Sequence, residues 1–406
     1  MRIAVIGEFR AERVVDSITR SGRHDLLLLS PTDVTGYVGR RSRHRPIVGS
    51  TEQGELVDAW TEERIELVVP SLCPIEQGRL LPTLAAAAER WRGCGRRAVV
   101  HSTAFADLVT DQALFHRIAQ DENWPVPRTV ICRRRSEIEA AVAKVGGFPV
   151  VVEQATAPPD RRRAHLADRD AIAALPATGS PLVVQHACGG EEFGLELMSA
   201  GGVTELWPIV SFGRADPRHA ATHRTGLAPV ALPTSVGFDL TYFIRDVLAN
   251  FDVRGPWRID FAICGGRLQV LRVDGGLSSL ADLGGNATGL DPYDAFVDLC
   301  LGQPWAVPPA RRLAMELPVR LDVESPVLPA GVRVRPRFPS PTDRWIASDA
   351  QRWLVTAEDP VLLAKWLRGF PPDALMADSP QRLASTALEV SSLLTASGRA
   401  KGSLTV

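Results

Sequence analysis

The sequence predicts an α/β protein, with a parallel-sheet unit first, a longer mixed α+β region behind it and a small α+β extension at the end. Three observations predict it. Over residues 1–105 the short apolar runs RIAVIG, DLLLLS, RIELVVPS and RAVVHS alternate with helically spaced apolar positions, the order that βαβ units and a parallel sheet require. Through residues 106–305 β-branched or alternating runs recur, among them FPVVVEQ, PLVVQHA, FGLELMS, WRIDFAI and RLQVLRVD. From residue 306 the chain turns Pro- and Arg-rich, with weaker strands near PVRLDV and GVRVRP and helices at DPVLLAKWLRGF and PQRLASTALEVSSLLTA. Three domains, 1–105, 106–305 and 306–406, suit a chain of 406 residues, because single cores stop growing near about 250–300.

The elements follow in order. The first strand ends at Gly7 and enters EFRAERVVDSITRSG; IGEFRA lacks the second and third glycines of a dinucleotide fingerprint, so a plain strand-to-helix turn is expected. DLVTDQALFHRIAQDENWPVPRTV predicts one helix and a proline-punctuated turn into a strand, and SEIEAAVAKVG a helix leading to the buried strand FPVVVEQ. ATAPPDRRRAHLADRD reads as a loop by its prolines and charge. VTELWPIVSF predicts a strand and FDLTYFIRDVLANF a helix, while CGG between WRIDFAI and RLQVLRVD predicts a hairpin.

Composition excludes several classes. Hydrophobic residues at 45% and charged residues at 23% suit a globular enzyme rather than a disordered or fibrous chain. A formal net charge of -1 offers no whole-chain attraction to nucleic acid or anionic membrane. Runs such as LLLL and AAAA fall far short of the roughly 20 apolar residues of a membrane helix, and MRIAVIGEFRAERVV has no signal-peptide apolar core, so a cytoplasmic location is expected. Cys73, Cys94, Cys132, Cys188, Cys264 and Cys300 contain no CxxC pair; all six are expected to be reduced structural thiols. His101–Ser102 and the Ser278–Ser279 pair lack a nucleophile elbow and take no catalytic role.

The stretches VTDQALFHRIAQDENWPVPRT, GGFPVVVEQ, VVQHACGGEEFGLELMS and GPWRIDFAICGGRLQVLRVDGG, in that order behind a βαβ unit, resemble the ATP-grasp superfamily over about residues 1–300. The resemblance implies an ATP-grasp fold with an N-terminal Rossmann-like domain. It implies chemistry in which ATP phosphorylates a carboxylate, an amine attacks the acyl phosphate and Mg²⁺ stabilises the transferring charge. Many relatives are dimers.

Position by position, the resemblance also marks departures. The first ATP lysine is replaced by Gln112 and the second by Glu153, an acid where phosphates would lie. The segment TAPPDRRRAH has none of the glycines of the family's lid. The metal-binding Glu and Asn two apart at a strand end become Arg272 and Asp274; two strand residues on one face share a cation only if both offer oxygen. Asp260 is the only matching metal carboxylate, so no metal site is expected. Arg258 matches an arginine that steadies the acyl centre, and Glu192 the acid that binds ribose hydroxyls. Arg258, Asp260 and Arg272 are the catalytic candidates; Gln112, Glu153, Glu192 and Asp274 are the nucleotide-site equivalents.

Two reversed charges suggest that Glu153 and Arg272 pair directly through the former nucleotide site. Arg161, Arg162, Arg163 and His165 read as a solvated loop in preference to a replacement phosphate clamp. In GRADPRHAATHRTGLAP, Arg214, His219, His223 and Arg224 are candidates to bind a small carboxylate-bearing substrate, with an exposed loop the equal alternative. The favoured expectation is an ATP-grasp-fold protein without conventional Mg·ATP use that binds or transforms a small carboxylate-type metabolite. The alternatives are a working carboxylate–amine ligase with variant phosphate ligands, using ATP and Mg²⁺, and a noncatalytic partner subunit of an active ATP-grasp enzyme.

Overall fold

The computed structural model describes all residues except 23, 32–41, 48–50, 73, 157–162, 176–178, 215–223, 338–349, 377, 391–402 and 406. The first apolar runs become β1 (Arg2–Ile6), β2 (Asp25–Ser30), β3 (Ser42–Pro46), β4 (Leu67–Pro70) and β5 (Arg97–Ala98), parallel in the order β3-β2-β1-β4-β5. The crossovers carry α1 (Ala11–Ser21), α2 (Gln53–Glu62) and α3 (Pro74–Gly93). Both faces of this sheet are covered, which is why β1 and β2 read as continuous apolar runs. Gly7 turns the chain at φ 107, where a Cβ would strike the Ser71 carbonyl. Its glycine thus serves a close backbone approach.

Next come α4 (Thr103–Thr110) and α5 (Gln112–Asp121). One helix was expected here; the chain breaks at Asp111, extended at φ -114, ψ 102, whose carboxylate accepts from the Ala113 and Leu114 amides and starts a new helix. A small antiparallel sheet of β6 (Thr129–Cys132), β7 (Val150–Gln154), β8 (Arg163–Leu166) and β9 (Leu182–His186) follows, ordered β6-β9-β7-β8, with α6 (Ile138–Val145) packed on it. The expectation of a loop through 163–166 is corrected: these residues pair with β7, Arg163 opposite Glu153. Arg161 and Arg162 lie outside the described residues.

The large sheet contains β10 (Glu191–Ala200), β11 (Val203–Leu206), β12 (Val210–Arg214), β13 (Gly226–Ala228), β14 (Gly255–Cys264) and β15 (Arg267–Gly275). VTELWPIVSF is two strands, because the chain leaves the sheet at 207–209. Its long helix is α7 (Thr234–Asn250), whose Leu240, Phe243 and Ile244 pack on one face of the sheet with Leu195, Ile259 and Phe261. After β15 come α8 (Ser279–Thr288) and α9 (Pro292–Leu301). The C-terminal strands β16 (Leu313–Arg320), β17 (Val332–Arg337) and β18 (Ala350–Ala357) prolong the same sheet, in the path β15-β14-β10-β12-β13-β16-β18-β17. They pack with α10 (Pro360–Leu367) and α11 (Pro380–Glu389) around a core of their own. β19 (Ser403–Thr405) pairs with β11. Among the described residues, no helix is long and apolar enough to cross a membrane.

Candidate functional site

Alternation along β14 buries Trp257, Ile259 and Phe261 in the core and turns Arg258 and Asp260 to the opposite face. On β15 Val273 enters the core, so Arg272 and Asp274 share the face of Arg258 and Asp260. The hairpin register then sets Arg258 opposite Asp274 and Asp260 opposite Arg272. A square of alternating charge results. Arg258 lies 2.5 Å from Asp260 and 3.3 Å from Asp274; Arg272 lies 2.7 Å from Asp274 and 3.7 Å from Asp260.

Burial alone would lower both guanidinium pKa values, but the two aspartates outweigh it and hold Arg258 and Arg272 above the ordinary arginine value. One donor and one acceptor of the square are unspent: Arg258 Nε and Asp260 Oδ1 are buried without a hydrogen-bond partner.

Glu196 faces the square from β10, in register with Arg258. It is 1% exposed, and its carboxyl accepts from the Ser278 amide at 3.0 Å and the Ser278 hydroxyl at 2.6 Å. Burial pushes it up to about 8, against the downward pull of Ser278 and Arg258. The sequence reading does not single out Glu196 and gives Ser278 no catalytic role. The signal available was the alternation EEFGLE, which puts Glu196 on the same face as Glu192.

The small sheet meets this face through a second set of charges. Arg163 on β8 lies 3.4 Å from Glu153 on β7 and 3.8 Å from Glu192 on β10. Arg224 donates to Glu192 at 2.5 Å and to the Phe212 and Gly213 carbonyls. The expected Glu153–Arg272 pair is therefore corrected. Arg163 is in register with Glu153 and takes it, while Asp260 and Asp274 hold Arg272, on which Glu153 acts only as a more distant charge.

Gln112, the first residue of α5, is 1% exposed, and neither end of its side-chain amide has a hydrogen-bond partner. Arg214 ends β12, exposed, and lines a cavity of about 660 Å³ whose lining includes no residue of the square. Arg224 is not a free anion binder, because its donors are aimed at protein oxygens. His219 and His223 lie outside the described residues.

His101 is buried, with Nε2 donating to the Pro256 carbonyl and Nδ1 accepting from the Arg254 amide; burial lowers its pKa to about 4. The expectation of six free thiols is also corrected, since Cys188 and Cys264 form a disulfide. Their partnership comes from the approach of the 187–190 connection to the end of β14, a tertiary contact that cysteine spacing does not reveal. Cys94, Cys132 and Cys300 are free, and Cys73 lies outside the described residues.

The square as folded offers a divalent cation few open oxygens. Hard cations need several oxygen ligands, whereas an oxygen of each aspartate already receives a guanidinium. Among the described residues, no cluster of three His, Cys, Asp or Glu side chains could hold a metal. Glu153 and Glu192 keep two further anions in the cleft, and the nearby cations Arg163 and Arg224 are committed to them.

A small antiparallel sheet thus meets the polar face of a larger one, behind a parallel-sheet domain. Three solved structures are similar over nearly the whole chain. They are N5-carboxyaminoimidazole ribonucleotide synthetase from Thermus thermophilus (TM-score 0.67, 14% identity, 90% of this chain and 96% of that one), an L-amino acid ligase from Bacillus licheniformis (0.65, 14%, 88% and 93%) and biotin carboxylase from Campylobacter jejuni (0.65, 12%, 97% and 96%). No protein-family model matches the sequence, and no curated protein matches it significantly. The chain has the ATP-grasp fold.

Proposed function

We propose that this protein is an ATP-grasp-fold chain that no longer handles Mg·ATP in the ligase manner and binds a small carboxylate-bearing metabolite at the charged face of β14 and β15. The carrying observation is the square of Arg258, Asp260, Arg272 and Asp274. It is internally neutral, so it offers little field to either a triphosphate or a divalent cation. Glu153 and Glu192 with Arg163 and Arg224 make a second neutral set, which adds no attraction for a triphosphate. The square leaves over two buried polar atoms, which a small polar ligand would meet once the packing over them opens. Arg258 Nε can donate to a carboxylate oxygen, and Asp260 Oδ1 can accept from a hydroxyl or amine of the same molecule. A cytoplasmic location and a homodimer fit this reading.

Titration calorimetry with Mg·ATP, set beside thermal-shift measurements with a panel of small carboxylates, tests the proposal. At least one carboxylate should raise the Tm while ATP, with or without magnesium, gives no saturable heat. Micromolar Mg·ATP binding overturns it.

A further inference from the structure

We propose that Cys188 and Cys264 form a reversible redox link, opened by a low-molecular-weight thiol entering the cavity beside it, and that the link fixes the small sheet to the large one. The two cysteines are 76 positions apart in sequence with a Cα–Cα distance of 6.2 Å, inside the range a disulfide tolerates. Cys188 lies in the 187–190 connection that carries the chain from β9 of the small sheet into β10 of the large one, and Cys264 is the last residue of β14. The connection lies flush against β14, for a Cβ on Gly190 would strike the Ile263 carbonyl and reach Cys264 Sγ at 3.0 Å.

Access separates this pair from the two buried thiols, Cys94 being a free thiol that is also exposed. Cys188 and Cys264 are partly exposed, whereas Cys132 and Cys300 are each 1% exposed. Cys264 lines the cavity of about 660 Å³ together with Gly189, Gly190 and Gly265, and Arg214 and Glu191 stand on its walls. Gly189 and Gly265, where a Cβ would meet nothing within 4 Å, leave room for a reagent to approach the sulfur, and the walls offer both signs of charge to a zwitterionic thiol.

The chemistry is thiol–disulfide exchange. A thiolate RS⁻ attacks Cys264 Sγ, the bond to Cys188 breaks, and Cys188 leaves as a thiolate that takes a proton from water. A second RS⁻ attacks the outer sulfur of the mixed disulfide, and Cys264 leaves and is protonated. Two RSH are oxidised to RSSR and the protein gains two hydrogens; an excess of RSSR drives the reverse. Exposed disulfides are the labile ones, so in a reducing compartment the link is open and an oxidising episode closes it. Once it opens, the small sheet keeps its peptide connections, the Arg163–Glu192 contact at 3.8 Å and its seam with α5 at Ala113, His116 and Val183. This inference stands whatever the cleft binds.

Protein purified without reductant, then denatured and alkylated, should carry two fewer alkyl groups than protein first treated with reduced glutathione. On reduction, hydrogen exchange in β7 and β9 should accelerate several-fold while β10 and β14 stay unchanged, and Cys188→Ser and Cys264→Ser should match the reduced protein without reductant. Arg214→Ala should slow opening by glutathione several-fold but leave opening by uncharged 2-mercaptoethanol unaltered. Should the serine variants not fold, the wild-type comparison suffices. Equal alkylation before and after glutathione, in protein exposed to oxidised glutathione, overturns the link. Exchange in β7 and β9 that ignores the redox state overturns its role, and identical Arg214→Ala behaviour with both thiols overturns the cavity route.

Discussion

Arg272 and Asp274 stand two residues apart on β15, on one face, and each finds an opposite charge directly across on β14. Removing one corner of such a square strands a buried charge, so Arg272→Met is expected to lower stability by about 3 kcal/mol in urea unfolding. Arg272→Glu has a more specific consequence. It gathers a third carboxylate beside Asp260 and Asp274 and supplies the oxygen set the native square lacks. Magnesium should raise the Tm of that variant by several degrees and leave the wild type unmoved; an equal response in both refutes the account of the square. Glu196 adds a pH signature. Its folded pKa of about 8 lies above the ordinary carboxylate value of 4.5, so the fold holds a proton that the unfolded chain has released. That contribution is complete below pH 4.5 and is lost as pH rises through 8. His101 and His116, both lowered to about 4 by burial, act in the opposite sense below pH 6.5. Between pH 6.5 and 8.5, therefore, the wild-type Tm should fall and that of Glu196→Gln should fall less, read by calorimetry at each pH.

Helix and strand types were legible wherever one period dominated over several residues. RIAVIG and DLLLLS are strands because a parallel sheet covered on both faces asks only for apolar side chains, and the CGG join is a hairpin with Gly265 and Gly266 at φ 57 and 75. Boundaries set by a single side-chain bond were not legible. The helix through DLVTDQALF breaks because Asp111 turns its carboxylate to the next two amides, and Asp in the middle of a helical pattern carries no mark of which way it will bond. Asp111→Ala should cost about 1 kcal/mol and lower helical ellipticity slightly; an unchanged denaturation midpoint refutes the capping role. Strand β8 was hidden for a related reason. RAHL has one buried residue, Leu166, and its partner strand is known only once the chain has returned to β7. The candidate site divides the same way. Arg258, Asp260, Arg272 and Asp274 could be named from one hairpin, whereas Arg163–Glu192 and Glu196–Ser278 join segments 29 and 82 residues apart, contacts that only the assembled sheets make.

Across the whole molecule the distribution of apolar side chains decides what moves. One core runs from Ala4 and Ile6 in the parallel sheet through Trp60, Phe105 and Phe115 to Leu195, Phe243, Phe261 and Val273 in the large sheet. Its opposite side is sealed where Ile3, Val5 and Val14 pack with Trp207, Tyr293 and Phe296, and Arg10 and Arg13 reach Asp282 at 3.4 and 2.8 Å. Domains that share apolar core unfold together. The small sheet is different: Cys132, Ile138, Val142, Val150, Val152, Leu166 and Val184 form a cluster that contains no residue of the large sheet. Among the described residues, what ties it to the rest of the chain is the charge contact of Arg163 with Glu192, the disulfide at its exit and a small seam on α5, where Val183 and Ala155 pack with Ala113, Gln185 bonds His116 at 2.8 Å and the Gln112 backbone amide donates to the Ala155 carbonyl; part-exposed ion pairs contribute about 1 kcal/mol or less. Hydrogen exchange should therefore show β7 and β9 opening in a sub-global unit while β1, β10 and β14 exchange only on global unfolding. Arg163→Ala should speed the first class and spare the second, as should raising the salt concentration, which screens the same pair. If β7 and β14 exchange at one rate under all these conditions, the small sheet is no separate lid, and the cleft between the sheets is rigid.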